Sequence, residues 1–400
     1  MNKITSKKED KQSLNSIINN DDDSKYIQIL NKKTKRIKKW FRNSKKQEPV
    51  QNLINDKNKY NNNPENINFF SFLIKDSFIN DNGVDNIFIT FNSINDIYIL
   101  IYPTEDKSII AFDLIDNKKI IEIKDAHEYY ICSFRHYLDK KNKRDLVVSI
   151  SAWDNNMKLW NINNWECLYN FKKVYSRGEL NSGCFLKHNN NIYIITCNDN
   201  YPDKSYPIKV FNIYGKTIKI LNDSNERTFF LQSYYDKKTS KKYIIAGNQN
   251  YIKSYDYNSN KVYHKYYDNK FEFHSSIIIS KVEEVIQLFE CSGSTLKVWN
   301  FHTAELLKTI KLETIDPNCT LRVFCVCLWN NDHIFVSCND KSIKLVNLKN
   351  GQTEKILIGH NSMVLTIKKL FIPKYGECLF SKGDNSDKII LWNIYNYYNK

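Results

Sequence analysis

The stretch Ser149-Ile150-Ser151-Ala152-Trp153-Asp154-Asn155-Asn156-Met157-Lys158-Leu159-Trp160-Asn161 decides the fold. It reads as the end of one short strand, a polar turn, and a second strand whose apolar residues alternate with polar ones and stop at Trp160-Asn161. A bulky residue followed directly by Asp or Asn recurs at Phe112-Asp113, Phe211-Asn212, Tyr255-Asp256, Trp299-Asn300, Val346-Asn347 and Trp392-Asn393. Successive spacings are 48, 51, 44, 44, 47 and 46 residues. Near-constant spacing of that size marks a repeat architecture. Five of the seven units also carry lysine two positions before the bulky residue (Lys158, Lys209, Lys253, Lys297, Lys344), so both side chains share one strand face. From residue 66 onward, short runs of Ile, Val, Tyr and Phe alternate with Asn, Asp, Lys and Gly clusters, and no helix of ordinary length intrudes. This is an all-β pattern.

On these residues the chain resembles the WD-repeat proteins, in which each repeat ends a strand in Trp-Asp and forms one four-stranded blade of a β-propeller. The closest single match is 149–161, with Asp154 six positions before Trp160; Asp106 and Phe112, and Asp340 and Val346, keep the same offset. Gly359-His360 is similar to the family's Gly-His pair, and His127 is a partial match. The resemblance implies a seven-bladed propeller over 66–400. It also implies that His, Ser or Thr, Asp and Trp of a complete repeat are hydrogen-bonded together. Only blade two (His127, Ser149 or Ser151, Asp154, Trp160) and blade seven (His360, Ser381, Asp387, Trp392) hold all four residue types. The sequence departs from the pattern in several places: Asn replaces Asp after the bulky residue in five units, Gly293 and Gln249 stand where turn aspartates are expected, and Val346 replaces a tryptophan. Because the chain ends soon after Trp392, blade seven has only three strands of its own. The family closes its ring with an N-terminal strand, and the apolar run 67–75 is expected to fill that place, leaving no free edge.

Composition narrows the functional classes. The net charge of +15 comes from 59 basic residues, only seven of them arginine, within a general Lys, Asn and Ile bias that reads as compositional drift. Residues 1–65 are different, with 16 basic and 8 acidic residues and asparagine runs, and read as a low-complexity tail. Within it, 32–46 holds nine basic residues and no acidic one. On a helix over 25–42, Tyr26, Ile29, Leu30, Ile37, Trp40 and Phe41 share one face, with Lys35, Lys38, Lys39 and Arg42 opposite and Arg36 within the same basic run. Such a helix suits an anionic membrane or nucleic acid, or serves as a nuclear-import signal.

Catalytic signatures are missing: there is no glycine-rich phosphate loop, G-x-S-x-G elbow or H-E-x-x-H pair. The ten cysteines lie mostly inside apolar runs and read as buried thiols in a reducing compartment. Cys325 and Cys327 could offer two soft metal ligands, yet no third or fourth accompanies them, so no metal or other cofactor is expected. No apolar stretch is long enough to span a bilayer. The expected protein is cytoplasmic, with nuclear entry through the tail as a variant, and monomeric in its propeller.

Six residues are singled out for binding. Arg177, Arg227 and Arg322 stand just before or at the start of inner strands. Trp153 lies in the second turn of blade two, and Tyr201 and Tyr206 in the longer turn of blade three. Arginines and exposed aromatics make interface hot spots. Trp160 and Trp299 are expected core anchors. The expected function is a non-enzymatic scaffold or adaptor that binds other proteins through the top face of the propeller. The alternative is recruitment of the propeller to nucleic acid or anionic membrane by the basic helix.

Overall fold

The computed structural model describes residues 69–72, 87–104, 106–175, 179–199, 207–222, 226–268, 274–384 and 389–393. The tail, with its expected helix, lies outside the described residues, as do Arg177, Tyr201, Tyr206 and Asp387.

Among the described residues every regular element is a strand, and the strands form seven antiparallel four-stranded sheets. Six blades are consecutive meanders, spanning 88–123, 131–171, 179–221, 228–266, 274–311 and 323–358. The seventh combines the last three strands, Val364–Ile372, Gly376–Gly383 and Ile389–Asn393, with β1, the first strand of the chain, Phe69–Phe72. Phe69 stands opposite Trp392 and Phe72 opposite Ile389. The expected closing strand is therefore in place, and all seven blades have four strands.

The core is divided among seven apolar layers, each between two neighbouring blades. Leu146, Ile150 and Leu159 of blade two meet Leu180, Phe185 and Ile194 of blade three, for example. The layer that closes the ring joins Ile89, Leu100 and Tyr102 of blade one to Phe380, Ile389 and Leu391 of blade seven. Side chains on both faces of a blade are thus covered, which explains why strand sequences such as Leu146-Val147-Val148-Ser149-Ile150 lack strict apolar and polar alternation.

The repeated pair has a local cause in each half. The bulky residue marks a β-bulge: the register between third and fourth strands shifts just before Phe112, Trp160, Phe211, Tyr255, Trp299 and Val346. The extra residue lies in the fourth strand, as with Leu168 opposite Leu159 and Trp160, and it increases the local twist. Blade seven, whose fourth strand is β1, pairs at Trp392 without a shift. The Asp or Asn that follows caps the next turn. Asp113 Oδ1 accepts from Ile115 N at 2.8 Å, Asn212 Oδ1 from Tyr214 N at 3.0 Å, Asp256 Oδ1 from Asn258 N at 2.8 Å and Asn347 Oδ1 from Lys349 N at 2.8 Å. Only an oxygen acceptor is required, and Asn161, Asn212, Asn300 and Asn347 supply it as Asp113 and Asp256 do; the turn after Asn393 lies outside the described residues.

Glycine scarcity is met in the same currency. Among the described residues, seven of the fifteen non-glycine positions with positive φ hold Asn or Asp (Asp96, Asn117, Asp125, Asn155, Asn189, Asn190, Asn260), which tolerate it, and the other eight hold Lys, Trp, Ser, Glu or Ala. Glycine is kept where space demands it: a Cβ on Gly359 would lie 3.0 Å from the Trp392 ring.

Deleting residues 67–75 removes the partner of Ile389–Asn393 and uncovers an edge strand. The expected outcome is a lower melting temperature and loss of protein to the pellet, read by thermal unfolding and sedimentation. Unchanged values in both would show that the strand is dispensable.

Candidate functional site

Antiparallel order places two kinds of loop on one face of the ring: the turns between second and third strands, and the connections from one blade to the next. This upper face carries Trp153, Arg227 and Arg322. Inside it, blade two holds a chain of three side chains. Trp160 Nε1 donates to Ser149 Oγ at 2.8 Å, and Ser149 Oγ lies 2.7 Å from His127 Nε2. Blade seven repeats it: Trp392 Nε1 donates to Ser381 Oγ at 2.7 Å, which lies 2.6 Å from His360 Nε2.

The aspartate departs from the expected four-member network. Asp154 Oδ1 accepts from Asn156 N at 3.1 Å, closing its own turn, as Asp340 Oδ1 does from Ser342 N at 3.2 Å. The other oxygen, Asp154 Oδ2, is buried without a hydrogen-bond partner, and so is His127 Nδ1. The Asp154 carboxylate and the His127 imidazole are therefore not hydrogen-bonded to each other.

Register shows what the remaining blades put in the serine position, which faces the residue two before the bulky one. It is Tyr102 in blade one, Thr196 in blade three, Ala246 in blade four, Glu290 in blade five and Val336 in blade six. In blade five Trp299 Nε1 is consequently buried without a hydrogen-bond partner, and a cross-strand pair of fully buried ions replaces the hydroxyl, with Lys297 Nζ 3.9 Å from Glu290 and 2.8 Å from Asp268. In blade six Lys344 Nζ donates to Asp340 at 2.7 Å. Burial pushes the Asp340 carboxyl upward, but bonds from Lys344, Ser342 and the Ile315 amide outweigh it and hold the group below the usual carboxylate value.

Beside the histidine of blade two lies a cleft of about 440 Å³, lined by the loops of blades one and two, including Lys107, Asp125, His127, Glu128, Asp154 and Lys158. Three of its wall atoms, His127 Nδ1, Asp154 Oδ2 and Asn170 Oδ1, have no hydrogen-bond partner among the described residues. Ser149 Oγ accepts from Trp160, and in the tautomer in which its hydroxyl donates to His127 Nε2 the ring proton sits on Nδ1. Burial, with Lys158 nearby, pushes the His127 pKa down to about 3, so the ring is neutral at physiological pH. In that tautomer the cleft offers one donor and two acceptors among three cationic and three anionic side chains.

Two exposed aromatics neighbour the lining residues in sequence, Trp153 beside Asp154 and Tyr129 beside Glu128. Trp153 is 54% exposed and packs against Tyr129, 44% exposed, with ring centroids 6.4 Å apart. Lys107 Nζ lies 6.0 Å from the Tyr129 centroid. Sequence reading singled out Trp153, while Tyr129, Lys107 and Asp125 escaped it because they come from other loops. Arg322 is exposed on the same face just before the inner strand of blade six, Val323–Leu328, and Arg227 is partly buried before that of blade four, Thr228–Asp236; neither lines the cleft. Arg135, in the inner strand of blade two, was passed over. Its guanidinium donates to Gly183 O at 2.6 Å, Phe134 O at 2.9 Å and Ser182 Oγ at 3.0 Å, tying blade two to blade three. An arginine inside a strand of a chain with seven arginines was the available signal.

A Ser and His pair invites a catalytic reading, which the geometry opposes. Ser149 is fully buried, its oxygen accepts from Trp160, and an imidazole held near pKa 3 is a weak base. Cys325 and Cys327 are buried, and burial pushes the Cys327 thiol up to about 12. Among the described residues no group of three or more His, Cys, Asp and Glu side chains could hold a metal, and no helix is long and apolar enough to cross a membrane.

These features define a seven-bladed β-propeller with a polar cleft on its upper face. No protein-family model matches the chain, and no curated protein matches it either.

Two outcomes test the blade networks. Trp160→Phe is expected to lose about 1 to 2 kcal/mol more than Trp299→Phe in chemical unfolding, because only Trp160 loses an indole hydrogen bond. The His127 pKa is about 3 when folded against about 6.5 unfolded, so folding stability is complete above pH 6.5 and falls on acidification toward pH 3. His127→Gln is expected to flatten that decline by up to about 1.4 kcal/mol per pH unit across the window, measured as unfolding free energy against pH.

Proposed function

We propose that the protein is a non-enzymatic interaction scaffold of the WD-repeat type that captures a protein segment on its upper face, at the cleft between blades one and two. The observation that carries this is the exposed Tyr129 and Trp153 pair, packed together and next in sequence to Glu128 and Asp154, two residues that line a cleft whose walls hold unsatisfied polar atoms. Exposed aromatics in contact lose little side-chain freedom on binding, and they lie where hot spots concentrate. The donor that His127 presents in the Nδ1-protonated tautomer and the acceptor of Asp154 suit a peptide group, which presents a carbonyl and an amide together. Loops on a rigid ring serve this role at low ordering cost. Asn-for-Asp exchange at the turns and the His, Ser, Trp chains of blades two and seven support the WD-repeat reading.

Trp153→Ala and Tyr129→Ala are expected to keep the melting temperature within about 1 °C, since both rings are exposed, and to lose the same set of co-purifying proteins from native cells. Tyr214→Ala, on the opposite face, is expected to keep that set. Retention of every partner by the Trp153 and Tyr129 variants would refute the docking site.

A further inference from the structure

The lower face carries the hairpins between first and second strands and those between third and fourth. On blades two, three and four these hairpins form a basic arc. Lys140, Lys141 and Lys143 are exposed on blade two, Lys187 on blade three, and Lys237, Lys238 and Lys241 on blade four. A lysine-biased chain scatters lysines everywhere, so the placement of the acids decides whether the arc is meaningful. Two acids of the hairpins between first and second strands are drawn inward by their own turns, while in the hairpins between third and fourth strands Glu166 is exposed on blade two and Asp256 lies 3.9 Å from Lys241 on blade four. Asp139 is 5% exposed and accepts from Asn142 and from Arg144 at 2.8 Å; Asp236 is 3% exposed and accepts from Lys238 N at 2.9 Å and Thr239 Oγ1 at 2.6 Å. Asp145 is fully buried against His136.

The positive field is crowded enough to act on its own members. Burial, then Lys242 and Lys219, lowers the His188 pKa, and burial with Lys187 lowers that of Lys242. Lys242 Nζ and His188 Nδ1 lie 3.4 Å apart across the seam of blades three and four, which makes the arc continuous there. Aromatic rings stand among these charges. Tyr214, in the outer hairpin of blade three, is 73% exposed, and Tyr235 of blade four is 41% exposed with Lys242 over its ring at 5.5 Å. The Tyr214 turn is seated by a close approach: Gly215 has φ +82°, and a Cβ there would fall 2.2 Å from the Tyr169 ring.

We propose that this arc binds single-stranded nucleic acid, its lysines meeting phosphates while Tyr214 and Tyr235 offer ring faces to bases. The rest of the same face argues against a flat anionic membrane. Glu283, Glu284, Glu305, Asp96 and Asp116 are exposed on blades five and one, and nearby lysines are neutralised, Lys118 by Asp116 at 2.8 Å and Lys281 by Glu284 at 3.1 Å. A bilayer would press both halves of the face against anionic headgroups, whereas a flexible strand can follow the basic half alone.

The test is fluorescence anisotropy of the full chain with a labelled uridine or thymidine oligomer about 20 nucleotides long, enough to cross one or two such sites. Comparing the two oligomers separates RNA from DNA. Lys237→Glu, Lys238→Glu and Lys241→Glu together are expected to weaken binding at least about tenfold and to reduce the slope of log affinity against log salt by about 2, from three lost phosphate contacts. The Lys→Gln triple at the same positions is expected to follow in the same direction, with melting temperature as the folding control. Tyr214→Ala is expected to weaken binding about fivefold or more without changing the salt slope. Three reversals elsewhere, Lys311→Glu, Lys341→Glu and Lys349→Glu, are expected to leave affinity within about twofold, because the basic tail and the arc are intact in that variant. Equal losses from both sets would show a net-charge effect only. Full affinity in the arc variants, or arc-dependent binding to phosphatidylserine vesicles in place of the oligomer, would overturn the proposal.

Discussion

A four-stranded blade that is apolar on both faces cannot stand alone, and that constraint governs everything else in the ring. Each of the seven apolar layers belongs to two blades at once, so every blade is stable only because its neighbours are present. A row of blades would leave two apolar faces in water, and the ring removes both. With cohesion supplied between blades, the polar interior of an individual blade is released to vary. That is why the serine position accepts Tyr102, Thr196, Ala246, Glu290 or Val336 within one chain. Two blades keep the indole, hydroxyl and imidazole chain, blade six uses a buried Lys344 and Asp340 pair, and blade five leaves an indole N–H without a partner.

The buried ions restrict geometry more than they add stability. Removing two charges from water is costly, and their attraction largely offsets that cost only in good geometry. Asp340 shows the arrangement at work: one carboxylate accepts from Lys344, from the Ser342 hydroxyl and amide, and from the Ile315 amide of the preceding connection. It pins a turn, a strand and an inter-blade loop to each other.

The fold was legible because both of its signals are local. One large residue stands beside a bulge at a fixed place, and the turn that follows needs one side-chain oxygen, so the pair of residue types repeats even where Trp and Asp do not. The closing strand was legible from the resemblance, which implies an N-terminal strand in the last blade, together with an apolar run that had no blade of its own. The site was much less so. Trp153 could be singled out as a surplus residue in its turn, but Tyr129 packs against it, and Lys107 and Asp125 line the neighbouring cleft, from loops whose order in the chain gives no hint of convergence. The outcome at Asp154, hydrogen-bonded within its own turn and not to His127, is one that residue identities do not encode. The lower arc was hidden by arithmetic, since charge counts cannot tell Asp139 and Asp236, turned inward by their own hairpins, from acids that would neutralise the lysines beside them. Arg177, Tyr201, Tyr206 and the tail lie outside the described residues.

The pairing of β1 with Ile389–Asn393 also has a temporal side. Phe69 and Trp392 are 323 positions apart in the chain, so β1, the first of the described strands, is synthesised long before its hydrogen-bonded neighbour. Throughout translation the growing arc of blades ends in an uncovered apolar face, and β1 waits as an unpaired strand capable of pairing with another chain. Loop closure over that span is slow relative to the local hairpins. The interval between finishing blade six and seating β1 is therefore when this protein depends most on chaperones, and when two unfinished copies are most prone to exchange strands.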